Sequence, residues 1–263
     1  MSNAAGEAME DLAARIDALM RALHLPGALA RHRELRAELG AGEEAMRLLT
    51  GILEAEISSR EQHRYEKNLR DARFPVVKEL AGFDFSVIPS LSRVKVEELA
   101  KAQFIAAHET ALLVGNPGTG KSHILLALGF EAVRQGYRVR FVTAATLVNE
   151  LLLARQELRV PKLLKQYFGF DLVTVDELGY VPFSREAAQL LFEFFSDRYE
   201  RRATALTTNL PFAQWPQVFG DETMTVALLD RLTHRSHVLM FNGDSYRMRD
   251  SRRRARGQSA ASG

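Results

Sequence analysis

Apolar positions along the chain change their period near residue 110, and that change divides the sequence into two kinds of structure. Before it, Leu12, Ile16, Leu19 and Leu23 recur at helical spacing. Pro26 is placed to open a second helix, since proline at the first helical position forfeits no hydrogen bond. Gly40 and Gly42 punctuate, a third helix is predicted over about 43–73, and Pro75 stops it. Residues 82–89 mix aromatics with Gly, Asp, Ser and Pro, and read as a linker that packs on something. From Thr110 onward, short apolar or alternating runs take over, at 111–114, 138–142, 171–176, 203–208 and 237–241. Helical patterns over 121–135, 144–168, 184–200 and 223–233 separate them, and Pro161 breaks the second into two shorter helices. Strands alternating with helices of this length predict βαβ units and a parallel sheet covered on both faces. Phe212, Trp215 and the LLFEFF run at 190–195 read as core-facing residues.

The expected organisation is a helical N-terminal domain (1–80), a linker with a short leading helix (81–109), an α/β domain (110–250) and a basic disordered tail (251–263). A chain of 263 residues suits one large domain or one plus a small one. It has no cysteine, which excludes a disulfide scaffold, a thiolate metal site and a Cys nucleophile. No apolar run approaches the roughly 18 residues of a membrane helix. The acidic start, with Glu7, Glu10 and Asp11, does not look like a secretion signal, so a cytoplasmic location is expected. The seven histidines show no metal spacing.

Chemistry enters at Gly115-Asn116-Pro117-Gly118-Thr119-Gly120-Lys121-Ser122, a full GxxxxGK(S/T) between a predicted strand and a predicted helix. Glycines let such a loop curl its N–H groups around phosphate oxygens, and the helix N-terminus adds positive potential. Lys121 is expected to reach the β- and γ-phosphates, and Ser122 to ligate Mg²⁺. The next apolar strand ends in Asp176 and Glu177; the first is placed for the Mg²⁺ shell and the second to polarise water, which favours a hydrolase over a kinase. Asn209, with Thr208 second, ends a strand where it can reach the γ-phosphate or its water, though capping a helix at Pro211 explains Asn209 as well.

Five segments in order, GNPGTGKSH (115–123), VDELGY (175–180), TTNLPFAQW (207–215), LLDRLTHRS (228–236) and GDSYRMRDS (243–251), resemble the IstB family of insertion-sequence ATPases, AAA+ relatives of the DnaC helicase loaders. LPGALA at 25–30 and ARFP at 72–75 extend the resemblance into the helical part. It implies an AAA+ fold with strand order 5-1-4-3-2, bound ATP and Mg²⁺, and homo-oligomers on duplex DNA. It also implies delivery of target DNA to a transposase of the IstA type. By matching position, Lys121, Ser122 and His123 belong to the phosphate loop, Asp176 and Glu177 to the metal and water site, and Asn209 to the sensor position. Arg231 falls at the arginine finger and Arg247 at the second sensor. On its own surroundings, without the resemblance, Arg231 reads more readily as a surface ion pair with Asp230 or another local acid. A DnaC-like helicase loader is the alternative reading, and a small-molecule P-loop kinase a more distant one.

Net charge is only +2, but it is unevenly spread. Arg60, Arg64 and Lys67 share a helix face, with Arg70 close by, and are the first candidates for DNA phosphates. Arg155, Arg159, Lys162 and Lys165 form a second set, and the arginines at 252–256 add unspecific attraction. Nothing resembles a base-reading module, so binding through backbone and shape is expected. Solvated helix faces explain the same charges.

Overall fold

The computed structural model describes residues 2–39, 43–180, 182–243 and 245–246. Two compact units divide after Glu66. The first contains α1 (Ser2–Ala22), α2 (Pro26–Leu39) and most of α3 (Glu43–Ala72). Ala13, Ile16 and Met20 of α1 and Leu23 just after it are buried with Met46 and Leu53 of α3, while Leu12 and Leu19 of the predicted stripe pack half-buried against them. α1 ends with His24 in the left-handed region (φ 55°), and the Leu25 N–H donates to the Met20 carbonyl, a cap that lets Pro26 start α2 at once.

The second unit begins inside α3, ahead of the position 80 expected from sequence. Asn68 is buried there and its amide donates to the carbonyls of Gly136 (3.2 Å) and Tyr137 (3.4 Å). After α3 come two short 3-10 turns, Leu80–Gly82 and Phe85–Val87, then α4 (Arg93–Ala100) and α5 (Gln103–Ala106). The sheet follows as β1 (Thr110–Gly115), β2 (Val139–Thr143), β3 (Leu172–Leu178), β4 (Ala203–Thr208) and β5 (Ser236–Phe241). Every pairing is parallel and the order is β2-β3-β4-β1-β5, which is the expected 5-1-4-3-2 read from the other edge.

Between the strands lie α6 (Lys121–Arg134), α7 (Ala144–Gln156), α8 (Val160–Phe168), α9 (Arg185–Arg198), α10 (Trp215–Phe219) and α11 (Glu222–His234). Pro161 occupies the first turn of α8, so the long helical pattern is indeed two helices. The chain leaves β1 in one direction along the sheet and β2, β3 and β4 in the other, so right-handed crossovers set α6 on the opposite face from α7, α9 and α11. Leu112, Val114, Val173, Val175 and Leu206 of the sheet share one core with Leu147, Leu191, Phe194, Trp215 and Leu228. The reversal of direction falls between β1 and β4, and a crevice opens there at the carboxyl ends of the strands.

Candidate nucleotide site

The loop 115–120 turns from β1 into α6 at that crevice. Gly118 (φ 76°) and Gly120 (φ 90°) are left-handed, and a Cβ would lie 2.2 Å from Ser245 Oγ at the first and 2.6 Å from the Phe83 ring at the second. Thr119 is buried and its hydroxyl donates to the Asn116 carbonyl (2.7 Å), which ties the loop to itself. The Lys121 ammonium donates to the carbonyls of Gly115 (2.7 Å) and Asn116 (2.6 Å). The loop's outer side is pinned by Asn116, whose amide donates to the Gly243 carbonyl (3.4 Å), and by the Tyr246 N–H on the Gly118 carbonyl (2.9 Å).

Asp176 stands opposite, and its Oδ1 is a hub. It accepts from the Ser122 hydroxyl (3.0 Å), the Thr207 hydroxyl (2.5 Å) and the Glu177 N–H (3.1 Å). The Thr207 hydroxyl also accepts from the Glu177 N–H (2.9 Å). β3 therefore does not stop at Asp176, as its pattern suggested, but runs to Leu178 through an irregularity in its pairing with β4 between Val175 and Leu178. Glu177 sits in that bulge at φ 63°, a costly region for a residue with a side chain, and its side chain is exposed at the crevice instead of buried like its neighbours.

A cleft of about 640 Å³ runs along this arrangement. Pro117 through His123, Glu177, Thr207 and Asn209 line it together. Asn209 caps no helix: the turn beginning at Phe212 has Pro211 at its N-cap and no side-chain bond there. Thr208, the second candidate, is buried, and its hydroxyl accepts from the Leu210 N–H (3.1 Å). His123 turns its Nε2 to the Glu79 carbonyl oxygen (3.0 Å) and meets the Phe83 ring edge-on (5.4 Å). Arg247 and the basic tail lie outside the described residues.

Two parts of the cleft were not assigned from sequence. Thr207 becomes important only through the β3–β4 register. The apolar wall, with Val76, Phe83, Val87, Ile88, Leu126 and Tyr246, comes largely from the presumed linker and offers apolar surface beside the phosphate loop. The GFDFSVIP composition was the available signal. Ser122 and Asp176 present a hydroxyl and a carboxylate oxygen 3.0 Å apart beside the phosphate loop, a donor pair that fits a Mg²⁺ completing its shell with water and phosphate oxygens.

Arg231 lies elsewhere. It lines a small notch with Thr110 and Thr204, the first or second residues of β1 and β4, so it faces the amino ends of the strands. The cleft is at their carboxyl ends, roughly 16 Å away for a six-residue strand. The ion pair with Asp230 is not formed; the guanidinium lies over the Phe192 ring instead, 4.6 Å from its centroid. Of the candidate DNA residues, Arg60 pairs with Glu56 (2.7 Å), Arg155 with Glu186 (3.0 Å) and Arg159 with Glu157. Arg64, Lys67, Arg70, Lys162 and Lys165 are exposed and form no ion pair among the described residues.

A parallel sheet of this order with a phosphate loop, an acidic pair and a polar strand tip defines a P-loop nucleotide-binding protein of the AAA+ fold. The chain belongs to the IstB-like ATP binding protein family, whose model matches residues 18–254. It is 41% identical over 201 residues to an insertion sequence IS21 ATP-binding protein of Pseudomonas aeruginosa, covering 76% of each chain. It is 34% identical over 240 residues to the IS5376 ATP-binding protein of Geobacillus stearothermophilus, covering 90% of this chain and 95% of the relative. Among solved structures, DnaI superposes with a TM-score of 0.53 at 18% identity, over 63% of this chain and 91% of that one. The DnaC helicase loader superposes with a TM-score of 0.50 at 20% identity, over 57% and 87%. These two share the fold. No helix among the described residues is long and apolar enough to cross a membrane.

Proposed function

We propose that this chain hydrolyses ATP with Mg²⁺, assembles on duplex DNA in the ATP state, and delivers target DNA to a partner transposase of the IstA type, which it regulates, in the cytoplasm. The observation that carries the hydrolytic part is the convergence of Ser122, Thr207 and the Glu177 N–H on Asp176 Oδ1. Those bonds fix the carboxylate on the metal side and leave the Glu177 side chain free at the crevice.

Lys121 holds the β- and γ-phosphates. Its ammonium rests on two neutral carbonyls, and a charged phosphate oxygen is the stronger acceptor. Ser122 and Asp176 hold Mg²⁺, which when bound offsets charge on the transferring phosphoryl group. Glu177 takes a proton from water and Asn209 orients that water, so attack at the γ-phosphorus is in line. Arg231 faces away from its own cleft, which suits a finger offered to an adjoining copy; such a finger is worth about 10³–10⁵ in rate. Chemistry and assembly are then coupled: ATP at the boundary stabilises the oligomer, and hydrolysis releases it.

The test is the size of the particle formed on plain duplex DNA with ATP, ADP or no nucleotide. Large assemblies are expected only with ATP, persisting in Glu177→Gln and absent in Lys121→Ala. A monomer under every condition overturns the assembly reading. Assembly on single strands in preference to duplex favours the helicase-loader role.

A further inference from the structure

Arg231 is held by a ring in place of an acid, as Arg138 over Phe170 and Arg202 over Phe168 also are. Arg60 and Arg93 each pair with an acid four residues away on their own helices, and Arg201, just past the end of α9, pairs with Asp197. Four residues before and after Arg231 stand Ala227 and Arg235, and no carboxylate among the described residues pairs with it. Among the described residues its one polar contact is long, Nη1 to the Ala227 carbonyl at 3.5 Å. The guanidinium is held by the face of Phe192, well within the roughly 6 Å reach of a cation–π contact. Phe192 itself projects from α9 and packs against the buried core shared by α7, α9 and α11, so the ring's position is set by the fold.

The geometry has a chemical consequence. An acid partner would orient a guanidinium but spend its charge and its in-plane donors. A ring beneath it occupies only the face, and the N–H donors, which lie in the plane, stay free for anionic oxygens. We infer that Phe192 is the positioning residue for Arg231: it orients the guanidinium and keeps its charge uncompensated for a phosphate oxygen brought by an adjoining copy of this chain. The inference rests on the reading of Arg231 as a finger acting between copies.

The experiment measures steady-state ATP hydrolysis on saturating plain duplex DNA, with particle size followed in parallel. Phe192→Leu keeps volume and apolarity and removes the π face. It is expected to lower kcat about threefold to tenfold, with KM for ATP and particle size unchanged. Phe192→Tyr and Phe192→Trp retain a ring and are expected to restore kcat. In an Arg231→Ala background, Phe192→Leu is expected to cost nothing more. If Arg231→Ala itself leaves kcat intact, the finger reading falls and this inference with it. If Arg231→Ala is inactive while Phe192→Leu is normal, Phe192→Tyr is as slow as Phe192→Leu, or Phe192→Leu alters particle size, the role of Phe192 alone is overturned.

Discussion

At the scale of single residues, the site turns on how two neighbouring acids are made different. Asp176 is buried and bonded three times through one oxygen; Glu177, next in the chain, is exposed and left-handed. Glu177→Gly should therefore relieve backbone strain and stabilise the folded protein by about 1 kcal/mol while abolishing hydrolysis, seen as a higher melting temperature with no turnover. Glu177→Gln should abolish turnover without that gain. Thr207 bridges the two acids, donating to one and accepting from the backbone of the other. Thr207→Val removes both bonds in a site shielded from water. It is expected to lower kcat about tenfold with ATP affinity nearly unchanged, and Thr207→Ser should recover most of the loss. An unchanged kcat in Thr207→Val would mean the threonine is only core packing.

Elements show what was legible and why. Five strands and the helices between them follow from hydrophobic period, because a parallel sheet buried on both faces needs short continuous apolar runs. The end of β3 was not legible, since a bulge depends on the partner strand's register and leaves no mark on its own pattern. Arg198 was equally hidden. It reads as the polar end of an amphipathic helix, yet it is 1% exposed. Its guanidinium donates to the carbonyls of Tyr167 (2.8 Å), Ala203 (2.6 Å) and Phe170 (3.3 Å) and to the Thr204 hydroxyl (3.2 Å), fastening the ends of α8 and α9 to the start of β4. Burial lowers its pKa to about 9, still high enough to keep the charge at pH 7. Arg198→Met strands those acceptors and should destabilise the protein by about 3 kcal/mol or more in a denaturant melt. In the first unit, Asp17 accepts from Arg33 and lies beside His32. Burial pushes its pKa up, but those partners outweigh burial and hold it below the ordinary carboxylate value. A depressed folded pKa gives stability that is full above the unfolded value, about 3.9, and lost as pH falls through the folded one. The protection of α1 and α2 amides, taken relative to the unstructured chain at each pH, should fall below about pH 4 in the wild type, and that fall should shrink in Asp17→Asn.

For the whole molecule, the ion pairs rank the surfaces on which the proposed DNA binding would fall. A phosphate contact made by a free cation releases condensed counterions, contributing about 0.9 to the slope of log affinity against log salt. A cation already paired with a carboxylate must first give up that partner, and the freed acid then repels the backbone. Arg60, Arg155 and Arg159 are paired in this way, whereas Arg64, Lys67, Arg70, Lys162 and Lys165 are not. Binding to plain duplex DNA, measured from about 50 to 200 mM salt with a non-hydrolysed ATP analogue, should thus lose about 0.9 in slope for each of Lys67→Ala and Arg64→Ala and distinctly less for Arg60→Ala. Lys162→Ala and Lys165→Ala form an independent pair on α8, and additive losses from both sets would make both part of the DNA interface. If the slope responds to the lysines of α8 alone, the stripe on α3 is a solvated helix face. Equal losses from paired and unpaired arginines would mean that the ion pairs dissolve on contact, and that exposure decides the interface in place of local charge balance.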